Sequence, residues 1–594
     1  MKDPDGARQG RPVLQVTIYY DGDCPFCANY VAYLRLKEAN GAPSLVDLRH
    51  DETARRELEA EGFDLDKGMV AEIGERRYHG ADAMHALSLI AGPSGIVNRW
   101  MAWLFVSRTA ASIGYPILRA GRAFVLTAIG RRPLAKEDDG VEAKFRLFAM
   151  LFGLFSIFHA NAYAFYYSQF PPSLDIVLVL ILGVAVFLRP GSRRLFLALM
   201  IASLASGWIQ APASSNHTLL RNYVALSFLA VYGFHLLRGA GWQRIFTDFS
   251  IVAGAGLVVM YFFGVFHKIN DGFLNPITSC AVALWRQMPL PLSYFDGPII
   301  QYGAIYATFV VEWLILVALF IRPLRHFAIA AGILFHWLLA LSNFALYLPF
   351  TTLAISLHAL FLSPDAAKQV MRSPVMVAFT SRLRSPLWIS VGVFYLATIA
   401  MLIILDRYSD VTLMASIFIF PVCFAVLRYG ASGRHSISSP DQVAGGSGRV
   451  MACAFAAMLF VACMLPYTGL KSAQAMNMFA NLRIEGGQSN HLIFRNPPTL
   501  FDNLSHVVTV QEVKGEPRLN WIANDKAGLV YYDLLSKLRS NPHASVTFEK
   551  GGAVFENQNA QSLSMDINDT LYPPLFDKVM NFKTVPLGSA PACD

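Results

Sequence analysis

The stretch Phe249-Ser250-Ile251-Val252-Ala253-Gly254-Ala255-Gly256-Leu257-Val258-Val259-Met260-Tyr261-Phe262-Phe263-Gly264-Val265-Phe266 carries no charge and then closes on His267-Lys268-Ile269-Asn270. An uncharged apolar run of ~18 residues or more is a candidate membrane span. An ionisable group at the end of such a run is costly unless it has work to do there. A second polar cluster, Asn216-His217, opens another apolar run. A lysine able to lose its proton beside a histidine fits a base in a low-dielectric site.

Outward from this stretch the same pattern recurs. The chain has 594 residues, 54% apolar and 15% charged, against about 25% charged in an average soluble protein. Its mean hydropathy is +0.41. About eleven runs approach the ~20 residues needed to span hydrocarbon: 145–167, 174–188, 195–213, 219–237, 249–267, 299–321, 326–345, 347–363, 387–405, 411–428 and 450–467. The short second run and the pair around Pro349 leave the count open. Residues 1–12 are polar and Val13–Tyr20 is only strand-length, so no secretory signal is read there.

The basic residues set an expected orientation. Arg131, Arg132, Lys136, Lys144 and Arg146 precede the first span, and basic loops then alternate with loops nearly free of Lys and Arg. This places the N-terminus in the cytoplasm and everything after Thr468 outside. His217 and Lys268 share the outer side. The net charge of +8 is accounted for by one set of loops, so no nucleic-acid partner is expected. The expected location is an integral membrane protein of a bacterial inner membrane, with a periplasmic or extracellular tail.

Residues 13–90 read as a small α/β unit. Val16–Tyr20 and Ser44–Leu48 are β-branched, strand-like runs, Asp51–Glu61 is a charged helix, and Gly80–Ile90 an apolar one. Met69–Ile73 and Arg77–Tyr78 flank Gly74-Glu75, a hairpin signal. Between strand and helix stands Cys24-Pro25-Phe26-Cys27, followed by the helix-like Ala28–Glu38. A cysteine at a helix N-terminus is favoured as thiolate by the unpaired N–H groups and the dipole. A second sulfur one turn later resolves a mixed disulfide. Half of a zinc site or two reduced core thiols are the alternatives. His50, His79 and His85 lack finger spacing, and no further cysteine precedes Cys280.

The string Tyr19-Tyr20-Asp21-Gly22-Asp23-Cys24-Pro25-Phe26-Cys27, with Tyr78-His79-Gly80-Ala81-Asp82-Ala83-Met84 downstream, resembles the DCC family of thiol-disulfide oxidoreductases over roughly residues 14–130. The resemblance implies a thioredoxin-like fold, a redox-active Cys24–Cys27 disulfide, Cys24 as nucleophile, Cys27 as resolver, and a thiol or disulfide partner. No proline precedes the Met69 strand, where ordinary thioredoxins keep one at the substrate site, so ordinary thioredoxin substrates are not implied. Residues 96–130 mix aromatic residues with Arg99, Arg108, Arg119 and Arg122. They read either as an amphipathic connector on the inner leaflet or as helices packed on the redox unit.

In the membrane module, a lysine at a span end ordinarily snorkels to the interface and a lone histidine there ordinarily hydrogen-bonds a helix end. Glu312 lies inside the sixth span. A hydrogen bond to a neighbouring helix is its default role, and pairing with Lys268 or carrying a proton are the others. Tyr261–Phe273, with its His267-Lys268-Ile269-Asn270, resembles the lysine motif of the vitamin K-dependent γ-carboxylase-like HTTM family. Ser215-Asn216-His217-Thr218 is similar to that family's Asn-His segment. Met478–Gly487 followed by Asn490-His491-Leu492 is similar to its bacterial members. This likeness covers about 145–500. It implies that a neutral Lys268 deprotonates a reduced quinone, possessing menaquinone- or vitamin K-like character. Oxygen then adds to the ring. His217 orients the quinone oxygen with Asn216, and His267 and Asn270 contribute to binding. His267 and Asn270 themselves depart from the family's basic residue and Asp, and the tail is short. Quinone-linked redox chemistry is therefore the leading reading, and a γ-carboxylase-like enzyme acting on Glu or a small molecule is the alternative. A non-enzymatic transporter or scaffold is the third; no clear internal repeat supports it.

The expected architecture is a thioredoxin-like α+β domain with its connector (1–130), an all-α membrane domain of about eleven helices (145–467), and a small α+β extramembrane tail (468–594). In the tail His506–Val513 and Ala544–Phe548 alternate as strands and Asp525–Arg539 reads as a helix. Cys280 and Cys593 are either a pair or two free thiols, while Cys423, Cys453 and Cys463 read as packing residues. No metal site is expected.

Overall fold

The structure, a computed structural model, describes residues 15–21, 43–48, 51–90, 107 and 139–593, except 64, 66–67, 166–171, 213–214, 290, 345–346, 384, 434–445, 517–518, 525–526 and 587–592. Cys24, Cys27, the helix expected over 28–38 and the connector expected over 96–130 lie outside the described residues, Ser107 apart. The chain divides into two units, Met1–Asp138 with Ala230–Phe246 and Asp139–Leu229 with Thr247–Asp594.

The N-terminal unit holds β1 (Val16–Tyr20), β2 (Ser44–Asp47), α1 (Glu52–Ala60), β3 (Val70–Ile73), β4 (Arg76–His79) and α2 (Ala81–Ile90). The strands form one mixed sheet in the order β2-β1-β3-β4. β1 runs parallel to β2 with Thr17 opposite Ser44, and antiparallel to β3 with Val16 opposite Ile73. A parallel pair needs a crossover of a dozen residues or more, and 21–43 supplies the length. Gly74 takes φ of 63° at the hairpin turn, a left-handed value that costs glycine nothing. Ile18, Val70 and Leu87 are fully buried, with Leu48, Leu58 and Leu65 packed nearly as deep.

The second unit is mostly helical: α3 (Asp139–Phe165), α4 (Leu174–Leu188), α5 (Arg193–Gln210), α6 (Asn216–Leu237), α7 (Trp242–Phe266), α8 (Asp271–Leu274), α9 (Cys280–Arg286), α10 (Pro298–Phe320), α11 (Arg325–Ala340), α12 (Tyr347–Ala359), α13 (Pro364–Arg372), α14 (Pro374–Leu383), α15 (Pro386–Ile404), α16 (Tyr408–Tyr429) and α17 (Gly446–Met464). α6 and α7 each cross the boundary between the units. The apolar stretch of α3 is buried throughout within the fold, the signature of a central helix, while Glu142 and Arg146 pair near its start.

Each of the eleven expected runs coincides with a helix. Among the described residues, however, seven helices are long and apolar enough to cross a membrane, or eight if the bent pair α12–α13 counts as one span. The count of about eleven spans is not confirmed by these lengths. α4 has fifteen residues, about 22 Å at 1.5 Å per residue, short of a ~30 Å hydrocarbon layer. α12 and α13 meet at 118°, where the extended Ser363 and Pro364 cap the new helix.

The tail folds on a sheet of β5 (Val507–Lys514), β6 (Ala527–Val530), β7 (Ser545–Lys550), β8 (Ala553–Asn559) and β9 (Val585–Pro586), ordered β8-β7-β5-β6-β9. α18 (Asn520–Asn524), α19 (Tyr531–Ser540), α20 (Ser564–Thr570) and α21 (Pro574–Asp577) complete it. The helix expected over 525–539 begins only at Tyr531; before it, Ala527–Val530 pairs with β5 on one side and β9 on the other. Sheet pairing outweighs helical periodicity in that short apolar run. Cys280 and Cys593 form a disulfide with Cα atoms 5.4 Å apart. Cys423 and Cys463 are buried thiols, whereas Cys453 is exposed.

Candidate functional site

α7 ends at Phe266, and the polar residues beyond it fasten the chain to the tail. His267 is fully buried; its Nε2 lies 2.9 Å from Ala475 O and its Nδ1 2.8 Å from Tyr467 Oη. A carbonyl only accepts, so Nε2–H donates to Ala475 and the Tyr467 hydroxyl donates to Nδ1. Asn270 Nδ2 donates to His267 O at 2.7 Å and to Ala480 O at 2.6 Å. Its Oδ1 accepts from Phe273 N at 2.8 Å, capping α8. His491 Nε2 donates to Phe266 O at 2.9 Å, while backbone N–H groups of Ile493 and Phe494 donate to its Nδ1. These contacts hold the backbone on both sides of Lys268.

Lys268 itself turns to α10. Its Nζ lies 2.7 Å from both carboxylate oxygens of Glu312, and each side chain is 9% exposed. Gly264 on α7 faces that carboxylate: a Cβ there would stand 3.4 Å from Glu312 Oε2, at the near edge of ordinary contact. Phe273 places its ring centroid 5.8 Å from Nζ. The pairing role left open for Glu312 is the one the structure adopts. Burial of an ion pair at this distance leaves each partner dependent on the other to compensate its charge.

The pair stands in the wall of a cavity of about 240 Å³. Met260, Phe273, Leu284, Phe350, Met478 and Phe479 contribute apolar lining, and Ala304, Ala307 and Thr308 on α10 leave it room. Asn216 and Lys268 both line it, so the start of α6 and the residues just after α7 meet at one cavity. His217, His267 and Asn270 are absent from its lining.

His217 is fully buried against α3 instead. Its Nε2 lies 3.0 Å from His159 Nδ1 and its Nδ1 2.7 Å from Ser215 Oγ. His159 in turn contacts the buried Arg221, and Tyr163 Oη meets Thr218 Oγ1 at 2.7 Å. Nothing in sequence spacing joins His159 to His217, which lie in different helices.

The cavity has two further features that sequence reasoning missed. Tyr261 Oη lies 2.9 Å from His336 Nε2 and 3.0 Å from His358 Nε2, three helices meeting at one hydroxyl. Isolated histidines in apolar runs give no spacing signal for this. The segment after α17 forms another wall. Gln474, Met476, Phe479 and Asn481 all have φ between 52° and 56°, in the left-handed region that costs a non-glycine residue about 1–3 kcal/mol each. Asn481 holds this wall by accepting from Cys280 N at 2.8 Å and donating to Thr278 O at 2.8 Å. The Cys280–Cys593 disulfide packs beside Leu284, Tyr347 and Phe479. Nearby in sequence, burial pushes the Lys471 amine down to about 8, with its Nζ donating to Gln474 O at 3.2 Å. Among the described residues, no cluster of three or more His, Cys, Asp or Glu could hold a metal ion.

Comparison with curated proteins and with solved structures finds no match. The family model for DCC1-like thiol-disulfide oxidoreductase matches residues 18–127, a segment that starts within β1 and takes in β2, β3, β4 and Cys24-Pro25-Phe26-Cys27.

Proposed function

We propose that this chain is a membrane-bound redox enzyme joining a thiol-disulfide module to a quinone-linked site in the membrane module. The observation that carries the second half is the buried Lys268–Glu312 pair in the wall of an otherwise largely apolar cavity. Such a cavity suits a flat apolar ring with oxygen substituents, because two charged groups, Asn216 and a Tyr–His cluster supply the few polar contacts that fix its orientation. A quinone would supply the electron-carrying chemistry. The chain's part is to bind the ring, exclude water and move a proton. Lys268 can pass its proton to Glu312, which leaves a neutral amine beside a neutral acid. The amine then accepts a proton from a ring hydroxyl. Asn216 contacts the ring; His217, His267 and Asn270 act on it only through the backbone and helix ends they hold.

The match over residues 18–127 supports the first half. The parallel β1–β2 pair followed by an antiparallel β3–β4 hairpin supports a thioredoxin-like fold. Cys24 as thiolate would attack a partner disulfide, and Cys27 would then displace the partner's thiol and close the Cys24–Cys27 disulfide. The alternation of basic loops supports a cytoplasmic N-terminus. The Cys280–Cys593 disulfide supports an oxidising compartment for the tail. A transporter reading draws on one observation, the 118° break between α12 and α13. The ion pair favours the enzyme, and a carboxylase-like activity would use the same pair.

Organic extraction of the native protein, purified from membranes in mild detergent, tests this. Mass spectrometry is expected to find a quinone in the extract, near one per chain, and markedly less from a Phe273→Arg variant that fills the cavity with charge. An extract with no quinone above the level of a control membrane protein counts against the reading.

A further inference from the structure

Two polar atoms of cavity-lining residues have no hydrogen-bond partner among the described residues, Asn216 Oδ1 and His336 Nδ1. Both residues are more than nine-tenths buried. Buried polar groups are nearly always satisfied by protein, water or ligand, so each orphan atom points to something the site receives.

The hydrogen-bond sense at His336 follows from its neighbours. His358 Nδ1 lies 2.7 Å from Ala354 O. Since a carbonyl only accepts, Nδ1 carries the proton, and a neutral His358 presents Nε2 as an acceptor. Tyr261 Oη, 3.0 Å from that Nε2, gives it its one proton. The remaining contact, His336 Nε2 at 2.9 Å from the same oxygen, must then run the other way, with Nε2–H donating to Tyr261. A neutral His336 is left with a bare Nδ1, an acceptor. The arrangement is locked by packing: a Cβ on Gly332 would stand 2.1 Å from His358 Nε2, so only glycine lets His358 reach Tyr261.

We propose that His336 is the acceptor-side contact of the cavity's ligand, held in that sense by Tyr261 and His358, and that the site thereby favours a ring presenting a hydroxyl over the same ring presenting a carbonyl. This rests on the reading that the cavity takes an oxygen-substituted ring. A carbonyl brought to Nδ1 would set two lone pairs against each other and leave both unsatisfied. A hydroxyl there makes one hydrogen bond. Asn216 Oδ1 is a second acceptor in the same wall. Tyr261 and His358 are positioning residues, since they act through His336.

The test is equilibrium dialysis of the full chain in detergent micelles with 2,3-dimethyl-1,4-naphthoquinone and, under anaerobic conditions, its diol. Full substitution of the quinone ring keeps the probe from alkylating thiols. The native protein is expected to bind the diol about tenfold more tightly than the quinone, the worth of about one hydrogen bond. His336→Leu should bring the two affinities within about twofold of each other. Tyr261→Phe frees His336 to move its proton to Nδ1, so the quinone should bind more tightly than it does to the native protein. That gain is an effect a merely structural role would not produce. Each variant's unfolding in micelles is checked first, and if His336→Leu does not fold, Tyr261→Phe alone decides. Native protein that binds both forms, with a ratio unmoved by the folded variants, overturns the role of His336 and leaves the proposed function standing. Native protein that prefers the quinone overturns it as well. Native protein that binds neither form overturns both.

Discussion

Replacing Glu312 by Gln keeps the shape of the side chain and removes the charge that compensates Lys268. At 2.7 Å and an effective dielectric of ~20, the gross attraction between unit charges is about 6 kcal/mol. Part of that offsets the desolvation of both groups, and removing one partner of a buried pair costs about 3–5 kcal/mol because the other charge stays behind. The expectation is a loss of about 3–5 kcal/mol. Both side chains are 9% exposed, so solvent screens little of it. The double variant Glu312→Gln with Lys268→Met should regain most of the loss, since apolar replacement of a buried pair is often close to neutral. The assay is unfolding of the full chain in mixed micelles titrated with SDS, run as a double-mutant cycle. A loss below about 1 kcal/mol for Glu312→Gln, or strict additivity in the cycle, would refute an intact buried pair.

Further expectations concern the thiols and the tail. In the reduced protein Cys24 should alkylate faster than Cys27 at neutral pH, as expected of a thiolate at a helix N-terminus; faster labelling of Cys27 would reverse their roles. Digestion of the unreduced protein should yield a peptide pair joined through Cys280 and Cys593, and Cys280→Ser should both abolish that pair and cost about 2–4 kcal/mol. Two separate peptides from the unreduced native chain would contradict the disulfide. The Lys471 amine is lowered to about 8 in the folded chain against ~10.4 unfolded. Between these values the unfolded state binds the extra proton, so stability should rise with pH there, by up to about 3 kcal/mol in total. The contribution is complete above the unfolded value and lost as pH falls through about 8. Lys471→Met should flatten that rise, and an unchanged alkaline profile in the variant would show that Lys471 is not its source.

The extent to which the fold can be read from the sequence depends on how local its determinants are. The β3–β4 hairpin follows from Gly74-Glu75 between two short strands, and the expected strands and helices of 44–90 agree with the observed ones to within a residue or two. The apolar runs mark their helices for the same reason, because burial in lipid or in a bundle demands continuous apolarity. Span number is harder to read: the run Leu174–Leu188 is apolar enough to suggest a span, and its helix has the same fifteen residues, short of a full crossing. The candidate site was half legible. Lys268 and Asn216 stand out because charge and amide interrupt apolar sequence. The partner of Lys268 lies 44 residues away, and only packing of α7 on α10 selects it. His336 and His358 have no local signature at all, and the left-handed backbone of Gln474, Met476, Phe479 and Asn481 is invisible in residue type. His217 and His267 were conspicuous for the same reason as Lys268, but their ring nitrogens are taken up by Ser215, His159, Tyr467 and Ala475.

The central claim is that the Lys268–Glu312 pair takes a proton from an oxygen-substituted ring in the cavity. Oxygen uptake driven by the diol of 2,3-dimethyl-1,4-naphthoquinone tests it most directly when the native chain is compared with Lys268→Arg, in protein shown to be folded. Arginine keeps the positive charge beside Glu312 but stays protonated to above pH ~12, so it cannot serve as the base. The account predicts diol-dependent uptake by the native chain and uptake indistinguishable from the protein-free background in the variant. A folded Lys268→Arg protein that consumes oxygen at the native rate would contradict it and leave the pair a structural contact between two helices.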